Sequence, residues 1–250
     1  MQPFDDQAVE CYRQKGEFFQ NNIYPLQDRV LQCIRQLDLP FYLTGETAFN
    51  RFTLSGRYTR NLHYQVHNET NFASFLQQAR SAIVAEFAGL IQTEVTEASG
   101  CSTEICVSAG VCLRLSFRHY SGYHVDSLRP GGVIVDPRYG RLDYWQNICA
   151  DILAREANHG VGDAVDLWWM ANNYELNWQD MVGLARKKNA KADIGRIEQN
   201  IQAVTLSDIN EIPWIIDKNP ATVHAELETL RQDLVRGQKN SLAPEPFNEH

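Results

Sequence analysis

Between Phe41 and Val66 the chain reads FYLTGETAFNRFTLSGRYTRNLHYQV, with polar residues at the spacing of a phosphate-handling site. An apolar run, Phe41-Tyr42-Leu43, ends in Thr44-Gly45-Glu46-Thr47, where a strand would turn into a helix. A glycine at such a turn lets backbone N–H groups and the positive end of the helix approach an anion. Asn61 and His63 stand two apart at the start of a second apolar run that ends at Val66, so one strand face would carry both. Carboxylates at that spacing hold Mg²⁺ or Mn²⁺ for phosphoryl or nucleotidyl transfer. An amide and an imidazole hold Mg²⁺ poorly, and imidazole favours zinc or nickel. Glu46 adds a negative charge in the first helical turn, which steadies the helix by about 0.3–1 kcal/mol and repels an anion. The same four residues also read as an ordinary capped helix start.

These residues resemble the opening motif of the nucleotidyltransferases of the AbiEii/AbiGii toxin type. In that family the first strand ends in Thr-Gly-Gly-Thr-Ala and the next strand carries Asp-x-Asp. On this resemblance Glu46 stands for the second glycine, and Asn61 and His63 stand for the two aspartates. The likeness continues over roughly residues 28 to 205. Ile148 to Ala154 sits where the family has a lysine-bearing helix, with Ile152 at the lysine; Gly162-Asp163-Ala164-Val165-Asp166-Leu167 matches Arg-Asp-x-x-Asp-Leu apart from its first residue; Arg186-Lys187-Lys188 matches a helix that ends in lysines.

The resemblance implies an α+β fold: a nucleotidyltransferase-like mixed β-sheet with flanking helices, then a C-terminal helical lobe. It implies nucleotide contacts at Thr44, Gly45, Thr47, Arg57, Lys187 and Lys188. The third acidic ligand, and the catalytic residue of an active enzyme, would be Asp126 in Tyr123-His124-Val125-Asp126. Any metal would fall to His63 and Asp126. The positions that depart from the motif are Glu46, Asn61, His63 and Ile152.

Two functions follow from different weights on those departures. One is a degenerate member that needs no cofactor and acts by binding a protein, a nucleotide or RNA. The other is an active enzyme using Mg or Mn with an NTP to move a nucleoside monophosphate to an RNA end or a protein hydroxyl. A third reading is an unrelated α/β plus helical protein. The resemblance also suggests a protein partner of antitoxin or toxin kind.

The elements that must position these residues show in the hydrophobic pattern. Leu26, Val30, Ile34 and Leu37 predict a helix before Pro40, and Phe72, Leu76, Ala79, Ile83, Phe87, Leu90 and Ile91 predict a second. Val111 to Phe117 alternates as a strand, and the turn at His119 to Gly122 predicts a hairpin returning through Tyr123 to Leu128. From Trp145 onward the pattern is helical. The expected domains are an α/β unit over 1–139, a helical unit over 140–236 and a flexible tail over 237–250.

The 250 residues are 44% hydrophobic, enough for a sizeable core, and carry a net charge of −8. The chain as a whole is therefore not a basic polyanion binder, which leaves local patches at Arg51, Arg57 and Arg60 and at Arg186 to Lys191. Trp168, Trp169 and Trp178, among apolar neighbours, read as core. Six cysteines without a C-x-x-C pair predict reduced, buried thiols. No signal-like or membrane-spanning apolar run occurs, and the expected location is the cytoplasm.

Overall fold

The computed structural model describes residues 15–67, 70–97, 100–108, 111–120, 122–124, 133–155 and 160–242. Two compact units form: the first runs to Tyr144 and takes in Pro213–Ile215, and the second holds the rest of the chain from Trp145. The fold is α+β, a mixed sheet with flanking helices followed in sequence by a helical unit.

In the first unit a π-turn, Phe19–Ile23, leads into α1, Tyr24–Gln36. Pro25 lies immediately after the π-turn, where the Tyr24 N–H reaches back to Phe19 O, so the residue that cannot donate falls where the helical ladder is already offset. Leu26, Val30, Leu31 and Ile34 form the buried stripe of α1. β1 (Tyr42–Thr44) is buried on both faces and runs into α2, Gly45–Phe52. β2 (Leu62–His67) alternates buried and half-buried residues, and α3 (Phe72–Glu86) buries Phe72, Leu76, Ala79 and Ile83. The predicted stripe of α3 overruns its end: Gly89, at φ 78°, breaks the chain and Ile91 opens a strand.

The remaining strands are β3 (Ile91–Glu97), β4 (Gly100–Ser108), β5 (Val111–Tyr120), β6 (Val133–Asp136) and β7 (Gly140–Asp143). All seven join in one sheet of order β3-β4-β5-β2-β1-β7-β6. β1 is antiparallel to β2 and parallel to β7, and β2 is parallel to β5. Register then sorts the faces. Leu43 pairs with Tyr64 and Leu142, and Tyr64 with Phe117, which makes one apolar row. Phe117 stacks on Tyr64 and meets Phe41, which meets Phe72 of α3, so this face is the core side.

Three expectations change here. The antiparallel partner of β5 is β4, not a return strand from Tyr123. Tyr123 and His124 lie outside any strand, and residues 125–132 are outside the described residues. The helical domain does not begin at residue 140, because Gly140–Asp143 forms β7 and pairs with β1 and β6. Finally, Cys106 and Cys112, register partners across β4 and β5, form a disulfide instead of two thiols. Cys101 and Cys149 are buried and outside any disulfide, as the composition predicts, and Cys33 is half-buried.

The second unit contains α4 (Trp145–Ala154), α5 (Val161–Asn173), α6 (Trp178–Lys188), α7 (Ile194–Ala203), α8 (Leu206–Glu211) and α9 (Pro220–Arg236). Local chemistry sets the ends. Asn177, Asp193 and Asn219 each accept a hydrogen bond from the backbone two residues on, and Gly237 ends α9 in the left-handed conformation. Trp178 is fully buried, Trp168 nearly so, and the Trp168 indole N–H donates to Glu226 Oε2 at 2.8 Å. The first residues of the expected tail are fixed: Asn240 N–H donates to Leu176 O, and Asp233 accepts from the Ser241 N–H and hydroxyl. Among the described residues no helix is long and apolar enough to cross a membrane.

Candidate functional site

The opposite face of the same strands carries polar side chains in a continuous row. His63 of β2 is the register partner of Thr44 on β1 and of Ser116 on β5. Leu43 pairs with Leu142, which places Thr44 beside Asp143 at the end of β7. Two hydrogen bonds tie the row: His63 Nδ1 and Ser116 Oγ share one at 2.7 Å, and Thr44 Oγ donates to Asp143 Oδ2 at 2.5 Å. Asp143 is fully buried, accepts the Tyr144 N–H and faces His124 Nε2 at 3.5 Å. The His124 ring meets those of Tyr42 and His67.

Beside the row, Gly45 takes φ 72°, where a side chain is strained, and so admits the sharp entry into α2. A Cβ built there would stand 3.5 Å from His63 Cδ2, so imidazole already lies over the turn. Glu46 in the first turn of α2 accepts from Arg57 at 3.0 Å, with Arg57 only 9% and Glu46 28% exposed in their side chains. Asn61 Nδ2 lies 3.5 Å from the other Glu46 oxygen. Thr47, fully buried, donates from its hydroxyl to Thr59 Oγ or to the Asn61 carbonyl. The loop that carries Arg57 is fixed by Pro213–Ile215: Tyr58 N–H donates to Pro213 O and Ile215 N–H to Gly56 O.

The structure therefore brings together Thr44, Gly45, Glu46, Thr47, Arg57, Asn61 and His63, and changes the roles of several. Thr44 and Thr47 are buried and turned inward to Asp143 and to Thr59 and Asn61, so neither hydroxyl presents itself to a nucleotide. Arg57 is engaged by Glu46. Arg51 is held by Gln27 and Asp28 and lies over the Tyr24 ring, so the expected basic patch is largely internal, with Arg60 exposed. Asp126 lies outside the described residues.

The helical-unit candidates behave differently from one another. Ile152 is buried in α4. Lys188 is corrected as a nucleotide contact: its side chain is 2% exposed and its ammonium sits 2.8 Å from Asp151. Lys187 is exposed at the end of α6.

Sequence reasoning missed Ser116 and Asp143. The alternation of Val111 to Phe117 is the signal for Ser116, since it puts Ser116 opposite the apolar set. Asp143 gives a weaker signal, a lone carboxylate before an aromatic helix start.

Chemically the row offers hydroxyl and imidazole groups with the Asn61 amide beside them, and one carboxylate, Asp143, which is fully buried and engaged by the Thr44 hydroxyl and the Tyr144 N–H. At the positions that hold Mg²⁺ in an Asp-x-Asp site it supplies Asn61 and His63, and the facing position on β5 supplies Ser116. Hard divalent cations take several anionic oxygens, so these residues do not fit such an ion. Among the described residues, no trio of histidine, cysteine or carboxylate groups in the row lies close enough to share one. A cavity of about 230 Å³ elsewhere in this unit, lined by Arg35, Tyr64, Tyr139 and Arg141 among others, contains none of these residues.

No protein-family model and no curated protein sequence matches the chain. Solved structures do. The nucleotidyltransferase toxin MenT4 from Mycobacterium tuberculosis H37Rv superposes with TM-score 0.53 at 13% identity, covering 84% of this chain and 82% of that one. JHP933 from Helicobacter pylori superposes with TM-score 0.50 at 16% identity, covering 94% of this chain and 96% of that one. Sequence identity so low speaks for backbone alone. Over most of its length the chain shares a nucleotidyltransferase-like fold with these structures.

Proposed function

We propose that this protein keeps the nucleotidyltransferase frame without the transfer chemistry and acts by binding a protein, a nucleotide or RNA. The observation that carries the reading is the Glu46–Arg57 ion pair. A carboxylate stands in the first turn of α2, where a triphosphate would meet the helix end, and it takes the guanidinium that would otherwise face the ligand. Triphosphate entering here would have to displace a partly buried charge pair while facing a like charge. The groups at 61, 63 and 116 support the same reading, because no carboxylate among them gathers metal for the leaving pyrophosphate.

The similarity to a toxin makes a protein partner, of antitoxin or toxin kind, the first binding class to test. The second reading is an active enzyme with Mg or Mn and an NTP, in which Asp126 is the catalytic carboxylate. Labelled NTPs with Mg²⁺ or Mn²⁺ and total RNA or protein separate the two. No label transfer is expected from the wild type; transfer abolished by Asp126→Ala would establish the active enzyme.

A substitution tests the ion pair directly. Glu46→Gly removes the like charge and releases Arg57, and a charge-assisted hydrogen bond contributes about 1.5–3 kcal/mol. Affinity for pyrophosphate should rise about ten- to a hundredfold by calorimetry. An unchanged affinity would mean that Glu46 does not block the turn.

A further inference from the structure

We propose that the reduced form of Cys106 and Cys112, with Glu104, is a zinc site, and that the disulfide is its closed, metal-free state. The three residues occupy one face at the end of the β4–β5 hairpin. Glu104 and Cys106 are two apart on β4, and Cys112 is the register partner of Cys106 on β5. Their ligand atoms all lie within 4.8 Å of one another. Two zinc–sulfur bonds of about 2.3 Å at a tetrahedral angle hold the sulfurs about 3.7 Å apart, so on reduction the bonded sulfurs of Cys106 and Cys112 must part by side-chain rotation, while the Glu104 carboxylate closes in to a bond of about 2.0–2.2 Å on a backbone fixed by the sheet.

The donor set chooses the ion. Two thiolates and one carboxylate suit Zn²⁺ better than Mg²⁺, which prefers oxygen alone, or Cu⁺, which prefers sulfur alone. Three protein ligands leave a fourth tetrahedral position to water. Cys112 and Glu104 are half-buried, so a reductant and an ion can reach them, and exposed Arg114, the register partner of Glu104, adds positive charge that favours thiolate. The other described thiols lack this setting. Cys149 is fully buried and its thiol is pushed well up by that burial, and Cys101 is on the opposite, buried face of β4.

The two states exclude each other. A dithiol reductant gives two electrons and two protons to the Cys106–Cys112 bond, becoming a disulfide itself and leaving two thiols. Zn²⁺ then displaces both thiol protons as it binds, while the Glu104 carboxylate coordinates without proton loss. A two-electron oxidant of the azo or disulfide class takes two electrons from the two thiolates and is itself reduced to a hydrazine or to two thiols, which returns the sulfur–sulfur bond and releases Zn²⁺ to water.

Cobalt titration of the purified full chain tests this, because tetrahedral cobalt thiolate absorbs where cobalt carboxylate does not. Reduced protein should develop thiolate-to-cobalt absorption saturating at one ion per chain and bleached by Zn²⁺; protein reoxidised with diamide should develop none. Glu104→Gln, which keeps both sulfurs, should weaken cobalt binding by at least about tenfold with the absorption retained. No absorption in reduced wild type would overturn the proposal, as would equal binding by oxidised protein or an unweakened E104Q variant. The oxidised and reduced arms use wild-type protein, so a folding defect in a variant does not decide the result.

Discussion

The double variant Asn61→Asp/His63→Asp is expected to bind Mn²⁺ at least about a hundredfold more tightly than the wild type. The two positions flank Leu62, and His63 sits in register between Thr44 and Ser116, so two aspartates there would share one face next to Glu46. Each new carboxylate need contribute only about 1.4 kcal/mol to give a factor of ten. Without metal the same change crowds like charges beside Glu46 and should lower the melting temperature, most at low ionic strength. Added Mn²⁺ should then restore it, because a ligand bound only by the folded state stabilises it by mass action. Calorimetry gives the affinity and a thermal melt gives the rescue. A double variant indifferent to Mn²⁺ would show that the two positions do not form a metal frame.

The second large effect is structural. Trp178→Ala should destabilise the helical unit by about 3–5 kcal/mol, the usual range for removing a buried tryptophan. Trp178 opens α6 and is fully buried, and its backbone N–H donates to Gln238 O at 3.0 Å. Such a loss is a large part of the total stability of an ordinary domain, about 5–15 kcal/mol. Urea unfolding followed by circular dichroism should show the lower midpoint. Trp169→Ala serves as the contrast: its half-buried ring lies 4.1 Å from the Lys218 ammonium, and its loss should cost under about 2 kcal/mol.

Local pattern made the helices readable, and long-range pairing hid most of the site. The stripe Phe72, Leu76, Ala79 and Ile83 is the buried face of α3, and α6 falls within the stretch read as helical from Trp145 onward. The glycine turn, Glu46, Asn61 and His63 were also legible, because strand and helix periods place them without reference to distant chain. Ser116 and Asp143 were not. Each gains its meaning from a strand neighbour far away in sequence, His63 for the first and Thr44 for the second. The disulfide was misread for the same reason: spacing shows two cysteines six apart, and only the β4–β5 register sets them opposite each other. Lys188 was misread through burial, since a terminal helix cation looks solvated until Asp151 is found beside it.

The strap of Pro213–Ile215 across Gly56–Tyr58 bears on the order in which this molecule matures. During synthesis the ribosome releases the seven strands long before it releases Trp214. Until then the segment bearing Arg57 has its hydrogen bonds to Asn50 and Gln27 but lacks the two backbone bonds that Pro213 and Ile215 supply, so the newborn sheet carries an unfinished clasp. The loop that carries Arg57 gains its last two backbone bonds only once most of the polypeptide has emerged, and a chain stalled before Pro213 would leave the cation that faces Glu46 less firmly seated.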